Sequence, residues 1–101
     1  MKLLWAWGGT FFGYREGNSL WTHHGKHVGQ FHNDEVYGID GQYLGEIQSE
    51  NRLITCVSKK SYSIGRFTPY ASRVGIVPYV NYVGYIMYVG YEDFPSPDHL
   101  I

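Results

Sequence analysis

The stretch LWTHHGKHVGQF, residues 20–31, decides the fold because it recurs along the chain. A copy, LWAWGGTFFG, lies sixteen residues earlier at 4–13, and another, VYGIDGQYLGEI, lies sixteen residues later at 36–47. All three share an apolar residue, an aromatic residue, a glycine and then an apolar–glycine pair. A fourth, degenerate copy, CVSKKSYSIGRF, fits at 56–67. A fixed period of this length indicates small units that bury their apolar faces against one another.

Each copy predicts a β-hairpin. The pairs Gly8–Gly9, His24–Gly25 and Asp40–Gly41 are typical of tight turns, and the returning strands are KHVGQF (26–31) and QYLGEI (42–47). Polar links separate the hairpins. One hairpin is not stable alone in water. We therefore predict an all-β fold in which residues 1–69 form four short hairpins around a centre and residues 70–101 form an extended tail.

A second glycine falls within the returning strand of every copy, at Gly13, Gly29, Gly45 and Gly65. Glycine weakens a strand interior, and its presence there indicates that another group approaches closely. We expect tyrosine rings of the tail to lie over these four glycines.

The modules LWTHHGKHVGQF and VYGIDGQYLGEI resemble those of the bacterial 4-fold beta flower proteins, which also combine an aromatic residue, a turn ending in glycine and an apolar–glycine pair. The likeness covers about residues 4–67, and QYLGE (42–46) is its most specific part. It implies a four-fold arrangement of hairpins, and it supplies no catalytic residues to carry over to this chain. Some family members carry a proline-rich tail with a three-residue period, whereas the tail of this chain is rich in tyrosine.

The tail divides from Ser72 into the triplets SRV, GIV, PYV, NYV, GYI, MYV and GYE. A helix turns 100° per residue, so its columns would drift around the axis, and glycine and proline also oppose it. Polyproline II has three residues per turn and keeps each column on one face. Strands with a turn near Asn81 or Gly84 are the alternative.

The tail is also predicted to mediate association. It has no charge from Val74 to Tyr91, and eighteen residues of polyproline II span about 56 Å, more than the ~26 Å diameter of a compact domain of this size. We expect it to overhang its own domain and to bind other copies or a protein partner. The predicted interface residues are Tyr79, Tyr82, Tyr85, Tyr88, Tyr91, Val80, Val83 and Ile86. Because the same stretch is rich in tyrosine and glycine, no membrane span is expected.

Composition limits the classes of function. The 101 residues suggest one domain, and the net charge of −1 provides no basic field for nucleic acid. The single cysteine, Cys56, forms no internal disulfide and agrees with a reducing, cytoplasmic location. The N-terminal apolar run has no A-x-A-like cleavage site, so we expect no signal peptide.

Four histidines, His23, His24, His27 and His32, are candidate metal ligands because imidazole binds zinc, copper and nickel. No cysteine or acid completes a familiar ligand spacing. We therefore interpret them as turn and strand surface, with no metal or cofactor.

Catalytic groups are few. Asp34 and Glu35 lie in a polar link, and Glu46 aligns with glutamine and arginine in other copies, which predicts exposure to solvent. Cys56 occupies an apolar repeat position, which predicts a buried thiol. We expect a non-enzymatic protein that mediates interaction or self-assembly. The alternative is a glycan- or metal-binding module that uses the histidines or the aromatic residues Trp5, Trp21 and Tyr37, for which core packing is the preferred interpretation.

Overall fold

The computed structural model describes residues 1–100. Eight strands form one sheet, with short 3₁₀ turns at Val57–Lys59 and Pro97–Leu100. The predicted all-β class with repeated hairpins is confirmed. The strands are β1 (Lys2–Ala6), β2 (Phe11–Glu16), β3 (Ser19–Thr22), β4 (His27–His32), β5 (Glu35–Gly38), β6 (Tyr43–Gln48), β7 (Arg52–Cys56) and β8 (Tyr91–Asp93).

The first seven strands form an antiparallel meander that closes into a barrel between β1 and β7. In an antiparallel meander with an odd number of strands, the first and last run in the same direction, so the closing pair is parallel. Trp5 pairs with Arg52 at this closure. The remaining length of the same β7 edge pairs antiparallel with β8, where Cys56 lies opposite Tyr91.

Two kinds of turn alternate around the barrel. The wide turns, residues 7–9, 23–25 and 39–41, each end in a glycine with positive φ, and the strand register shifts by one residue beside each of them. Such a shift is a β-bulge, which bends the strand and increases its twist. The narrow turns are 17–18, 33–34 and 49–51. The predicted hairpin turns are therefore the wide turns, and the polar links between hairpins are themselves tight turns.

The prediction of a fourth hairpin at 56–67 is wrong. Val57–Lys59 is a 3₁₀ turn, and residues 64–88 contain no helix or strand. The fourth strand pair is instead β7 with β8, which come from distant parts of the chain. Gly65 lies outside any strand, and a Cβ added to it would meet open space.

The repeated apolar residues fill the barrel. Leu4, Leu20 and Val36, one from each intact copy, are completely buried and share a cluster with Leu53. Phe94, just after β8, belongs to the same cluster.

The Phe94 ring packs edge-on against Phe12 with 5.3 Å between centroids. A Cβ on Gly45 would lie 2.5 Å from the carbonyl oxygen of Ile54 and 2.6 Å from the Phe94 ring, so both the neighbouring strand β7 and Phe94 require glycine there.

Candidate functional site

The tail encircles the barrel across its wide turns, and we call residues 62–90 the belt. Its backbone N–H groups at Ile64, Arg73 and Tyr82 donate to the carbonyls of Gly41, Gly25 and Gly9, at 2.8, 2.7 and 2.9 Å. We call the copies at 4–13, 20–31 and 36–47 modules 1, 2 and 3. The belt therefore passes module 3, then module 2, then module 1. It ends beside β7, where the N–H of Val57 donates to the carbonyl of Gly90 at 2.9 Å.

A second series of hydrogen bonds repeats the same spacing. Phe67, Ile76 and Tyr85 donate to the carbonyls of Ile39, His23 and Trp7, the first residues of the three wide turns, at 3.4, 2.8 and 3.1 Å. Both series advance nine residues along the belt for every sixteen in the barrel. One module of the barrel is therefore matched by three triplets of the belt.

The belt has a nine-residue sequence repeat that follows from this matching. FTPYASRVG (67–75) and IVPYVNYVG (76–84) share proline, tyrosine, valine and glycine in the same places. The shared glycines lie against the wide turns, since a Cβ on Gly75 would be 2.9 Å from the His23 carbonyl and one on Gly84 would be 2.7 Å from that of Gly8.

The length of the repeat agrees with the size of the molecule. Nine residues of polyproline II would span about 28 Å, slightly less than the two longer dimensions of the molecule, 36 and 33 Å. Whether the belt is polyproline II stays a prediction.

The expectation that tyrosines cover the mid-strand glycines is wrong. The nearest atoms to a Cβ on Gly13 or Gly29 belong to neighbouring strands. The glycines that face the belt are the turn glycines Gly9, Gly25 and Gly41, where a Cβ would collide with the carbonyl oxygens of Tyr82, Arg73 and Ile64, respectively.

The predicted interface residues separate into two groups. Tyr79, Tyr82, Tyr85 and Tyr88 are about half-exposed because one side of each faces the barrel. Tyr82 stacks on Trp5 with 3.9 Å between centroids, and Tyr85 and Tyr88 pack on Trp7 at 4.9 and 5.1 Å. Tyr91 opens β8 and packs beside Cys56. The belt therefore contacts its own barrel, and the predicted overhang is wrong.

The third residue of each triplet forms the other group, which we call the valine edge. All six side chains are at least 84% exposed: Val74, Val77, Val80, Val83, Ile86 and Val89.

Arg52 is a buried barrel residue whose side chain binds the belt. The residue is 3% exposed, and its guanidinium donates to the carbonyls of Trp7 at 3.1 Å and Val83 at 2.9 Å. It also lies 4.1 Å from the centre of the Tyr85 ring. No carboxylate pairs with it among residues 1–100. Carbonyl oxygens and aromatic faces therefore stabilise this buried charge.

Equivalent tryptophans of modules 1 and 2 make different contacts with the belt. In module 1 the indole N–H of Trp5 donates to the carbonyl of Val80 at 3.0 Å. Trp21, the corresponding residue of module 2, lies 3.8 Å beneath the guanidinium of Arg73. A cavity of about 640 Å³ opens beside Trp21, between module 2 and the belt.

The four histidines do not converge on one point. His23 lies beside His24 with 4.1 Å between ring centroids, and Nε2 of His24 contacts Asp98 at 2.9 Å. His32 packs on Tyr37 instead. Among residues 1–100, no three histidine, cysteine or acidic side chains are grouped so that they could hold a metal ion.

His27 is held in one tautomer. Its Nδ1 accepts the backbone N–H of Tyr70 at 2.9 Å, so the ring proton is on Nε2 and is donated to the carbonyl of Gly29 at 3.0 Å. Burial lowers the pKa of His27, which keeps the ring neutral.

Lys59 bridges two carboxylates. Its Nζ lies 2.9 Å from both Glu35 and Glu46, and Tyr43 donates to Glu46 at 2.8 Å. The hydrogen bond from Lys59 lowers the pKa of Glu35. Glu46 is half-buried, so the prediction that it faces solvent is wrong. The aligned residues are a poor guide here because Lys59 lies in the 3₁₀ turn that replaces the predicted fourth hairpin.

Two predictions of burial agree with the structure. Cys56 is a buried free thiol. Trp5, Trp21 and Tyr37 are all buried, as core packing requires.

Comparison with protein-family models, curated proteins and solved structures finds no match to this chain. The resemblance to the 4-fold beta flower family stays a prediction that rests on the repeated modules. No helix within residues 1–100 is long and apolar enough to cross a bilayer.

Proposed function

We propose that the protein is a non-enzymatic self-association module in which the valine edges of two copies meet. The observation that carries the proposal is the exposure of six aliphatic side chains in one column of the belt, each at least 84%. Single exposed apolar residues are ordinary, but a series of them along one edge is typical of an interaction surface.

Burial of this edge offers enough free energy for association. Covering one such side chain contributes about 1.5–3 kcal/mol, whereas association costs about 4–15 kcal/mol in lost freedom. Three side chains from each copy would offset that cost. The belt stays on its own barrel in this arrangement, so no segment has to detach.

A second copy is favoured as the partner because of charge. The chain has no charged residue from Val74 to Tyr91. Two identical uncharged edges do not repel, and such an edge offers nothing to a partner recognised by ion pairs. The same surface on both subunits is the usual basis of a two-fold dimer.

Sedimentation equilibrium of the full chain tests the proposal. We expect a concentration-dependent dimer for the wild type and a monomer for the triple variant Val80→Ser, Val83→Ser, Ile86→Ser. The control is Ile39→Ser with Val57→Ser, which changes exposed apolar residues outside the belt and should leave the dimer intact. A wild type that stays monomeric, or a triple variant that still dimerises, would contradict the proposal.

A further inference from the structure

Trp5 and Trp21 occupy the same position in modules 1 and 2, but their indole N–H groups differ. That of Trp5 donates to the carbonyl of Val80. Trp21 is 1% exposed, and its indole N–H has no acceptor among residues 1–100. A buried donor without an acceptor costs about 1–3 kcal/mol. Trp21 lines a cavity, so water or a ligand is the available source of the missing acceptor.

The path of the belt explains the missing acceptor. Ala71 lies nine residues before Val80 and is therefore the corresponding belt residue. The belt is fastened on both sides of it, by Phe67 and by Arg73. Between these points Tyr70 donates its N–H to His27, an interaction that Phe11, the equivalent of His27 in module 1, cannot accept. The space left beside Trp21 is the cavity.

The cavity wall carries groups that both donate and accept hydrogen bonds: the amides of Asn18 and Gln30 and the hydroxyls of Ser19 and Thr68. Its two charges, Glu16 and Arg73, form an ion pair at 2.9 Å and cancel. Since His27 is neutral, the wall has no net charge.

We propose that this cavity binds a small neutral ligand with several adjacent hydroxyl groups, the chemistry of a mono- or disaccharide. Hydroxyls supply both donors to the amide oxygens and an acceptor for the Trp21 indole, while Phe67 and Tyr70 provide apolar wall for the C–H face of a sugar ring. The volume is within the usual range for small-ligand sites.

Other ligand classes fit the wall less well. A charged ligand would have to compete with the pairing of Glu16 and Arg73 or remain unpaired. A purely apolar ligand would leave the amides and the Trp21 indole without partners, at the free-energy cost of unpaired buried groups. The proposal is independent of self-association, because the valine edge does not line this cavity.

The test is an NMR titration of the ¹⁵N-labelled full chain with glucose, N-acetylglucosamine and cellobiose. We expect at least one of them to shift the indole Nε1–H resonance of Trp21 saturably. The corresponding resonances of Trp5 and Trp7 are internal controls, because both groups are already bonded to belt carbonyls. The Gln30→Ala variant should bind about 5–10-fold more weakly, as expected for loss of one hydrogen bond, and the control Gln48→Ala should bind like the wild type.

Three outcomes would overturn the proposal. One is a Trp21 indole resonance that none of the three sugars moves in the folded wild type. Another is tighter binding of glucose 6-phosphate than of glucose, which would contradict a neutral ligand. The third is unchanged affinity in Gln30→Ala; if that variant does not fold, Ser19→Ala takes its place.

Discussion

Tyr82 lies parallel to Trp5, with 3.9 Å between their ring centroids and 13° between their planes. The backbone of Tyr82 also donates to Gly9, so the belt is fastened here by a ring and by a hydrogen bond at one residue. In module 2 the guanidinium of Arg73 takes the place of the Tyr82 ring over Trp21. The belt therefore contacts the two equivalent tryptophans in different ways, through a cation–π interaction from Arg73 and through ring stacking by Tyr82.

Removing the Tyr82 ring should destabilise the whole protein. Because Tyr82 is half-exposed, we expect Tyr82→Ala to lower the free energy of unfolding by about 1–3 kcal/mol, less than a fully buried aromatic residue would. Urea denaturation measures the change. The matched control is Val83→Ser, an adjacent change on the exposed edge, which should stay within about 0.5 kcal/mol. Equal effects of the two variants would show that the ring does not fasten the belt.

The stability of the protein should depend on arginine at position 52, and lysine should not replace it. In Arg52→Lys the charge remains, but one ammonium cannot reproduce the planar fork that joins the carbonyls of Trp7 and Val83. We expect a loss of about 1.5–3 kcal/mol in unfolding free energy, the range for hydrogen bonds to charged groups. Hydrogen exchange should show faster exchange of the Tyr85 amide, while the Arg73 amide is little changed. Uniformly faster exchange would instead indicate general destabilisation of the barrel.

Two turn glycines allow the free-energy cost of a collision with the belt to be separated from the cost of backbone strain. Gly25 and Gly17 both have positive φ, +89° and +59°, but only a Cβ on Gly25 would collide with the belt, at Arg73. Gly17→Ala should cost about 1–2 kcal/mol for the left-handed conformation alone. Gly25→Ala should cost about 1–3 kcal/mol more, because the belt must move. Thermal or urea unfolding of the pair gives the difference, and equal costs would contradict the close approach.

Stability should fall in mild acid because of His27. Burial lowers its folded-state pKa, so the unfolded chain binds a proton first. The contribution is complete above the unfolded value of about 6.5 and is lost as the pH falls through the lower folded value. Protonation of Nδ1 also removes the acceptor for the Tyr70 amide, whose exchange should accelerate.

The control for this pH dependence is a pair of variants. His27→Gln should flatten the decline in stability between about pH 7 and pH 5. His23→Asn should remove only the part due to His23, whose pKa burial also lowers. An undiminished decline in His27→Gln would assign the effect elsewhere.

The sequence predicted the elements that are repeated locally and missed those that depend on distant contacts. Strands KHVGQF and QYLGEI were located to within one residue because turn glycines and alternating apolar residues mark them. The fourth hairpin was misplaced because β8 has only three residues and pairs across more than thirty residues of chain with β7. Nothing local in Tyr91–Asp93 identifies that strand.

The sequence repeats of the belt could be predicted, but its placement on the barrel could not. Its triplets are visible in the sequence, and so is a nine-residue spacing, because Pro69 and Pro78, like Gly75 and Gly84, are nine residues apart. The nine-residue repeat of the belt matches the distance from one wide turn to the next. That distance is set only when the barrel closes. The cavity beside Trp21 depends on a hydrogen bond that module 1 makes and module 2 lacks. The sequence shows that His27 replaces Phe11 at the equivalent position, but not that the Tyr70 amide binds His27.

The burial of Phe94 has a consequence for biosynthesis. The ring fills the barrel beside Phe12, although eighty-two positions separate the two residues. We therefore expect a nascent chain to carry three hairpins whose core lacks the Phe94 ring until residue 94 has left the ribosome. During that interval its apolar lining is open to chaperones and to other nascent chains. We expect ribosome-bound chains that end before Phe94 to be cleaved readily by added protease, and chains extended beyond the exit tunnel to become resistant in one step.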